Sequence, residues 1–348
     1  MKIAIDATPL ETGHKRRGIG IYTRKLVEAL KRVDKANEYI LFSRGQKLPK
    51  VDLVHYPYFD LFFLTLPVKK PYKTAITIHD LIPLVFPQFF PPGIRGKIKF
   101  QIQKFSTRNI SGIITDSENS KKDIIRFLNF PVDKVNVVYL AANEIFRPIL
   151  DKGFLAKVKR KYNLPEKFIL YVGDVNLHKN LKRLFEAIAK VDLPLVAVGE
   201  ALTDDNLKET KQLLLEIERL GISKKVHRLG FVPEEDLVGV YNLATLLVEP
   251  SLYEGFGLPV LEAMACGLPV ACSNTSSLPE VGGQAPVYFN PGHVDDLASA
   301  ILKIVEWSQN DKSKYDELKF KGIEQAKKFS WEKTAKETIK VYQKVVNG

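Results

Sequence analysis

Short β-branched runs alternate with amphipathic stretches from the first residue onward. Lys2 to Ala7, Tyr39 to Phe42, Leu53 to Tyr56, Thr74 to Ile78, Gly112 to Thr115 and Val135 to Tyr139 read as buried strands. Between them, Tyr22 to Val33 carries Leu26, Leu30 and Val33 at helical spacing, and Asn119 to Leu128 keeps the same period. Such alternation predicts a parallel sheet covered on both faces. The strand signal lapses over 143–160, and a polar segment leads through Asn163, Leu164 and Pro165 to a second start. From there Phe168 to Val172, Leu195 to Val198, Val226 to Leu229, Leu246 to Val248 and Pro269 to Ala271 repeat the pattern. The chain reads as α/β, with two doubly wound, Rossmann-like domains in tandem over 1–150 and 151–330. A helix over 331–348, with Trp331, Ala335, Ile339, Tyr342 and Val346 at helical spacing, closes it. Open parallel sheets take ligands outside the carboxyl ends of their strands, so a cleft where the two domains face one another is the expected site.

Composition excludes several classes. With 45% hydrophobic residues over 348 positions the chain is not a disordered tail, and a chain of this size buries roughly three quarters of its unfolded surface without a disulfide or metal staple. The two cysteines, Cys266 and Cys272, have neither zinc-ligand nor Cys-x-x-Cys spacing and read as small core residues in a reducing compartment. No run reaches the roughly 18 apolar residues of a membrane span, and Asp6 interrupts the apolar N-terminus before a signal sequence can form. A cytoplasmic location is expected.

Charge is divided unevenly. Residues 1–150 hold 25 lysines and arginines against 13 acidic residues, while 151–348 hold 27 of each, so the first half carries the entire +12. That asymmetry points to a polyanionic partner met by the N-terminal half, or to a basic surface kept for solubility. Aromatic residues are not interleaved with the charges, which argues against nucleic acid.

Absent motifs narrow the chemistry. Gly18 and Gly20 are followed by Thr23, and Gly255 and Gly257 by Val260, so no Gly-x-Gly-x-x-Gly exists. There is no phosphate-binding Gly-x-x-x-x-Gly-Lys-Ser/Thr, no His-Glu-x-x-His and no Asp-x-Asp. A diphosphate would therefore be neutralised by lysine, arginine and backbone amides, with no metal.

Four strand-to-helix turns carry candidate chemistry. Glu249 and Pro250 end a strand, Ser251 to Leu258 form a glycine-rich turn, and a helix starts near Pro259, where a missing N–H costs nothing. Gly255 and Gly257 let the backbone approach an anion. Glu254 and Glu262, spaced Glu-x7-Glu, suit hydroxyl groups better than phosphate. One would hold a sugar and the other a ribose, although a first-turn Glu262 would also simply complement the helix dipole. Tyr171 to Asn180 forms a second turn, with Gly173 inside it and Lys179 projecting toward the cleft, although a lone lysine there would also be simply solvated surface. Arg16, Arg17, Gly18, Gly20 and Tyr22 make a third, basic and glycine-rich. His79 and Asp80 stand at a strand end, where a histidine faces the crevice, although an isolated one would also be simply a packed, hydrogen-bonded histidine.

These segments resemble the retaining glycosyltransferases of family 4, with the GT-B fold, and especially their bacterial and archaeal mannosyltransferase-like members. The resemblance covers essentially the whole chain and is most specific in Glu254-Gly-Phe-Gly-Leu-Pro-Val-Leu-Glu262, its continuation to Pro269, Thr275 to Gly283, and Gly18 to Tyr22. It implies that Glu254 contacts the donor hexose and that Gly255, Phe256, Gly257 and Leu258 hold the diphosphate through backbone amides. It further implies that Glu262 binds the ribose, that Lys179 neutralises the diphosphate and that Gly173 lies in the donor site. Gly230, Phe231 and Val232 match the segment bordering the base. Gly20 matches a position under the diphosphate, and His79 one near the reacting sugar, with Arg16, Arg17, Gly18, Tyr22 and Asp80 on the acceptor side. Many members carry an arginine directly after the glycine matching Gly173. Here Asp174 stands there, and His178, Lys182 and Arg183 are candidate replacements.

The expectation is a transferase that moves a hexose, with retention, from a nucleotide diphosphate sugar to a hydroxyl acceptor in glycolipid, lipopolysaccharide or polysaccharide synthesis. GDP-mannose is favoured as donor, without metal or other cofactor. The alternatives are a UDP-glucose or UDP-N-acetylglucosamine transferase acting on a soluble acceptor, and a GT-B-like epimerase or phosphorylase. Apolar residues flanked by basic ones, Leu61 to Leu66 beside Lys69, Lys70 and Lys73, and Ile94 to Phe105 among Arg95, Lys97, Lys99, Lys104 and Arg108, suit an interfacial segment. In that case the acceptor is lipid-linked and the protein peripheral at the inner face of the plasma membrane. The other reading makes Phe62, Phe63 and Phe100 core.

Overall fold

The computed structural model describes residues 1–13 and 18–348. By internal contacts the chain divides into two units, residues 1–141 with 329–348, and residues 142–328.

In the first unit, β1 (Lys2–Asp6), β2 (Glu38–Phe42), β3 (Leu53–Tyr56), β4 (Lys73–Thr77), β5 (Gly112–Thr115) and β6 (Val135–Val137) form one parallel sheet in the order β2-β1-β3-β4-β5-β6. β3 and β5 are buried at every position, as expected of interior parallel strands covered on both faces. The helix Gly18–Val33 turns Tyr22, Leu26 and Leu30 into the core, and starts four residues before the apolar periodicity does. Ser117 caps the helix Glu118–Leu128 by accepting the Ser120 amide, and Asn129 ends it in the left-handed conformation. The closing helix, Trp331–Asn347, is capped by Ser330 and belongs to this unit. It buries Trp331, Ala335, Thr338, Val341, Tyr342 and Val345, so its buried stripe only partly matches the expected one, and Ile339 and Val346 lie at its margin.

The helix Gly93–Ser106 is built the other way out. Gly96, Gln103 and Ser106 face inward, and the buried Gln103 amide donates to the Asp60 carbonyl and to Thr65. Ile94 (81% exposed), Ile98 (57%), Ile102 (38%) and Phe105 (53%) form a stripe in solvent. Phe63 is exposed beside it, with the Lys99 ammonium over its ring, whereas Phe62 and Phe100 pack against the core. The core reading thus holds for two of the three phenylalanines and fails for Phe63.

In the second unit, β7 (Ile169–Val172), β8 (Leu195–Val198), β9 (Val226–Gly230), β10 (Leu246–Glu249), β11 (Val270–Ser273) and β12 (Val287–Phe289) are again all parallel, in the order β12-β11-β10-β7-β8-β9. This is the doubly wound order, and its direction reverses between β7 and β10. The segment where strand signal lapses contains a helix, Lys152–Lys161, capped by Asp151. β12 carried no sequence signal strong enough to predict it.

Candidate active site

The turns after β7 and β10 flank the reversal point of the second sheet, where ligands of such sheets bind. They are tied to each other through the backbone. The Leu252 amide donates to the His178 carbonyl at 2.8 Å, and the Asn180 side-chain amide donates to the Pro250 and Pro291 carbonyls at 3.0 and 2.9 Å. Asn180 holds a left-handed conformation between the short turn Leu177–Lys179 and the helix Leu181–Ile188.

Across this junction Lys179 Nζ donates to Glu254 Oε1 at 2.6 Å, both side chains being only 13% and 12% exposed. Lys179 therefore folds onto Glu254 and is not a solvated surface lysine. Burial opposes the charge on Lys179, but the carboxylates of Glu254 and Glu249 outweigh it and hold the ammonium above the ordinary lysine range. Burial likewise raises Glu254, and Lys179 and His178 more than offset it, so the carboxyl sits below its usual range.

Beneath the pair lies Glu249, which sequence reasoning left as the end of a strand. It is buried and accepts the Ser251 hydroxyl at 2.6 Å. Burial, with the Glu254 charge added, raises its pKa against the pull of Lys179. Its only signal was an acidic residue closing an otherwise apolar strand.

Of the three candidates for the missing arginine, His178 is the one beside the pair, since its charge state responds to Glu254 and Lys179. Burial lowers its pKa to about 4, so at neutral pH it supplies a polar ring and no second positive charge. Arg183 donates to Asn180 Oδ1 at 2.9 Å, and Lys182 is exposed. Asp174 accepts the Val175 amide and takes the Tyr171 hydroxyl on its backbone carbonyl.

The glycine-rich turn is stitched to the loop after β11. Thr275 donates to the Leu252 carbonyl, Ser276 accepts the Glu254 amide at 2.9 Å, and the Ser277 hydroxyl lies between the Glu254 and Phe256 carbonyls at 3.0 and 2.8 Å. Thr275, Ser276 and Ser277, at the start of the family-like stretch to Gly283, thus hold the glycine-rich turn in place. Gly255 and Phe256 are buried, and Gly257 caps the helix Leu258–Ala265 at φ +107°, a conformation that excludes residues with a Cβ. Because that helix starts at Leu258, Glu262 lies beyond the first turn, where the dipole is spent, and the dipole alternative falls away.

Instead, Glu262 Oε2 accepts the Tyr241 hydroxyl at 2.8 Å, and burial raises its pKa to about 8. Tyr241 is wholly buried and was not foreseen. The Gly173 amide donates to Val198, and the Gly199 amide to Gly230. A Cβ on Gly199 would stand 2.0 Å from the Gly173 carbonyl oxygen, so this position, also unforeseen, admits only glycine. Gly230 ends β9 at φ +65°, Val232 is buried, and Phe231 leaves 48% of its surface exposed.

In the first unit, His79 Nδ1 is 2.6 Å from Asp116 Oδ2. The Tyr22 ring stands edge-on to His79 at 4.7 Å, with its buried hydroxyl on Thr77. Asp80 accepts the Ile82 amide, and Gly18 and Gly20 lie in the first turn of their helix, Gly20 buried. Arg16 and Arg17 lie outside the described residues. Among the described residues no cluster of three or more His, Cys, Asp or Glu could hold a metal ion. No helix there is long and apolar enough to cross a membrane. Cys266 and Cys272 are buried and unbridged.

Two six-stranded parallel sheets, each with its own loops at the strand ends, make up the GT-B fold. The model of the glycosyl transferases group 1 family matches residues 155–344, and the chain belongs to that family. It is 34% identical to the O-antigen chain mannosyltransferase B of Escherichia coli over 280 residues, 78% of this chain and 70% of the relative. It is 31% identical to the serotype-specific mannosyltransferase WbdA of E. coli over 299 residues, 83% of this chain but 36% of that larger protein. In fold it resembles sucrose-phosphate synthase from Thermosynechococcus elongatus, with a TM-score of 0.78 at 21% identity over 99% of this chain and 98% of that one.

Proposed function

We propose that the protein transfers mannose, with retention, from GDP-mannose to a hydroxyl acceptor. The observation that carries this reading is the buried Lys179–Glu254 pair at the reversal point of the second sheet. A carboxylate and an ammonium held together match the two ends of a sugar diphosphate: Glu254 accepts from the hexose hydroxyls while Lys179 meets the phosphates. As the glycosidic bond stretches, charge grows on the departing diphosphate. Lys179 and the amides around Gly257 then stabilise it more than they stabilise the ground state. Glu262, with one oxygen on Tyr241, keeps the other for a ribose hydroxyl, and Phe231 offers its exposed ring to the base. His79 takes the role near the reacting sugar that the family resemblance implies. The mannosyltransferase names of the E. coli relatives support mannose, and the absence of Asp-x-Asp supports a metal-independent diphosphate site.

The acceptor in this reading is lipid-linked, used in O-antigen or related polysaccharide synthesis by a cytoplasmic protein held peripherally at an anionic membrane. The outward stripe Ile94, Ile98, Ile102 and Phe105, with Arg95, Lys97 and Lys99 on the same helix and no acidic residue in it, supports that contact.

The test is transfer of labelled mannose from GDP-mannose to lipid extracts in excess chelator, beside a thermal-shift panel of nucleotide sugars. A ligand at 100 times its dissociation constant adds about 2.7 kcal/mol. Stabilisation by UDP-sugars alone, or activity that disappears in chelator and returns with magnesium, overturns the donor or the metal-free assignment. Turnover without acceptor indicates the epimerase.

A further inference from the structure

Asp116 has no place in the reading above, yet it is among the most completely buried acids of the first unit. It follows β5 directly, next to the β4 end that delivers His79, so adjacent parallel strands set the two side chains side by side. It is 2% exposed, its Oδ2 meets His79 Nδ1 at 2.6 Å, and its Oδ1 is buried without a hydrogen-bond partner among the described residues. A carboxylate so enclosed is costly: burial raises its pKa, and the charge of His79 and the hydrogen bond to it offset that only in part. The imidazole is fixed from a second direction by the edge of Tyr22, at an interplanar angle of 87°, and Tyr22 is itself fixed by Thr77. Nε2 is also buried and makes no hydrogen bond of good geometry among the described residues, while the Pro57 backbone exerts only the weakest of the upward pulls on the ring.

We propose that Asp116 is the positioning residue of His79. It holds the imidazole in one orientation with a proton on Nδ1. An aspartate that accepts from Nδ1–H selects the tautomer and stabilises the imidazolium. The surrounding charges act in the same sense. Burial alone would lower the His79 pKa, but Asp116, and after it Asp80, outweigh that and raise it. His55, on β3, is itself kept neutral by burial, and the Tyr22 phenol stays protonated. The ring consequently stays doubly protonated to higher pH than a free imidazole. The proposal rests on His79 serving the transfer reaction.

Hexosyl transfer by wild type, Asp116→Asn, His79→Gln and the double variant, measured across pH, separates the two ideas. Asp116→Asn should lower kcat on the order of 10- to 1000-fold with KM for the donor little changed, and should move the His79 limb of the pH profile to lower pH. The double variant should be no slower than His79→Gln. An unchanged kcat and profile in Asp116→Asn beside an inactive His79→Gln overturns the proposal alone; so do additive losses in the double variant. A fully active His79→Gln overturns the role of His79 and with it that of Asp116. Nitrogen-15 histidine NMR on the wild-type chain, independent of how the variants fold, should show Nδ1 protonated with a low-field proton. A neutral Nε2–H tautomer there overturns the proposal.

Discussion

The hydroxyl of Tyr342 lies 2.7 Å from Nδ1 of His55, joining residues 287 positions apart. His55 Nε2 meets Thr77 at 2.8 Å, and Thr77 meets Tyr22 at 2.9 Å. A buried relay thus runs from the closing helix through β3 and β4 to the helix that packs on His79. Burial lowers the His55 pKa to about 3, so the ring works as a neutral donor and acceptor.

Tyr342→Phe should leave His55 Nδ1 unsatisfied and destabilise the protein by about 1–3 kcal/mol, read by urea denaturation. Because the folded pKa of His55 lies below the unfolded value, its share of stability is full above about pH 6.5 and declines as pH falls toward 3. Equal denaturation midpoints for both proteins would remove the relay from the energetics.

Breaking the Lys179–Glu254 pair should cost more than deleting it. Lys179→Met leaves a largely buried carboxylate alone and should destabilise by roughly 2–4 kcal/mol, with much of that recovered in Lys179→Met/Glu254→Leu. Turnover should be lost in both. Glu254→Gln should keep nucleotide affinity within a few fold while losing most turnover, and titration calorimetry with GDP beside transfer assays separates these effects.

Glu262 titrates at about 8 in the free protein because burial favours its neutral form. Ribose hydroxyls donate best to a carboxylate, so GDP binding should release a proton and tighten as pH rises through about 8. In Glu262→Gln the affinity should be lower and flat across that range. An identical slope in wild type and variant, measured in buffers of different ionisation enthalpy, removes Glu262 from the ribose site.

The outward helix stripe should bind anionic vesicles. Ile94→Ser/Ile98→Ser should weaken sedimentation with them by tenfold or more, since each buried isoleucine contributes about 1.5–3 kcal/mol. Lys69, Lys70 and Lys73 changed to glutamine should weaken it further at low salt. Nucleotide affinity should stay constant in both sets, and equal binding to neutral vesicles would favour a soluble acceptor.

The period of the apolar residues determined most of the architecture. Buried parallel strands need continuous apolar runs and their crossover helices need one apolar face, so the first sheet, the second sheet apart from β12, Gly18–Val33 and the closing helix were legible as local patterns. The glycine-rich turns and the Glu-x7-Glu spacing were legible for the same reason: backbone conformation and helix periodicity are properties of neighbouring residues. Tertiary structure decided which side chains meet. Nothing near Glu262 announces Tyr241, nothing near His79 announces Asp116, and nothing near Glu254 reveals that Lys179, 75 positions away, will neutralise it. Parallel sheets bring strand ends together from distant parts of the chain, so charge pairing and pKa at those ends depend on strand order and burial, which no local pattern encodes. The helix Gly93–Ser106 makes the same point in reverse, because only the folded unit shows that its isoleucines face out and its glutamine in.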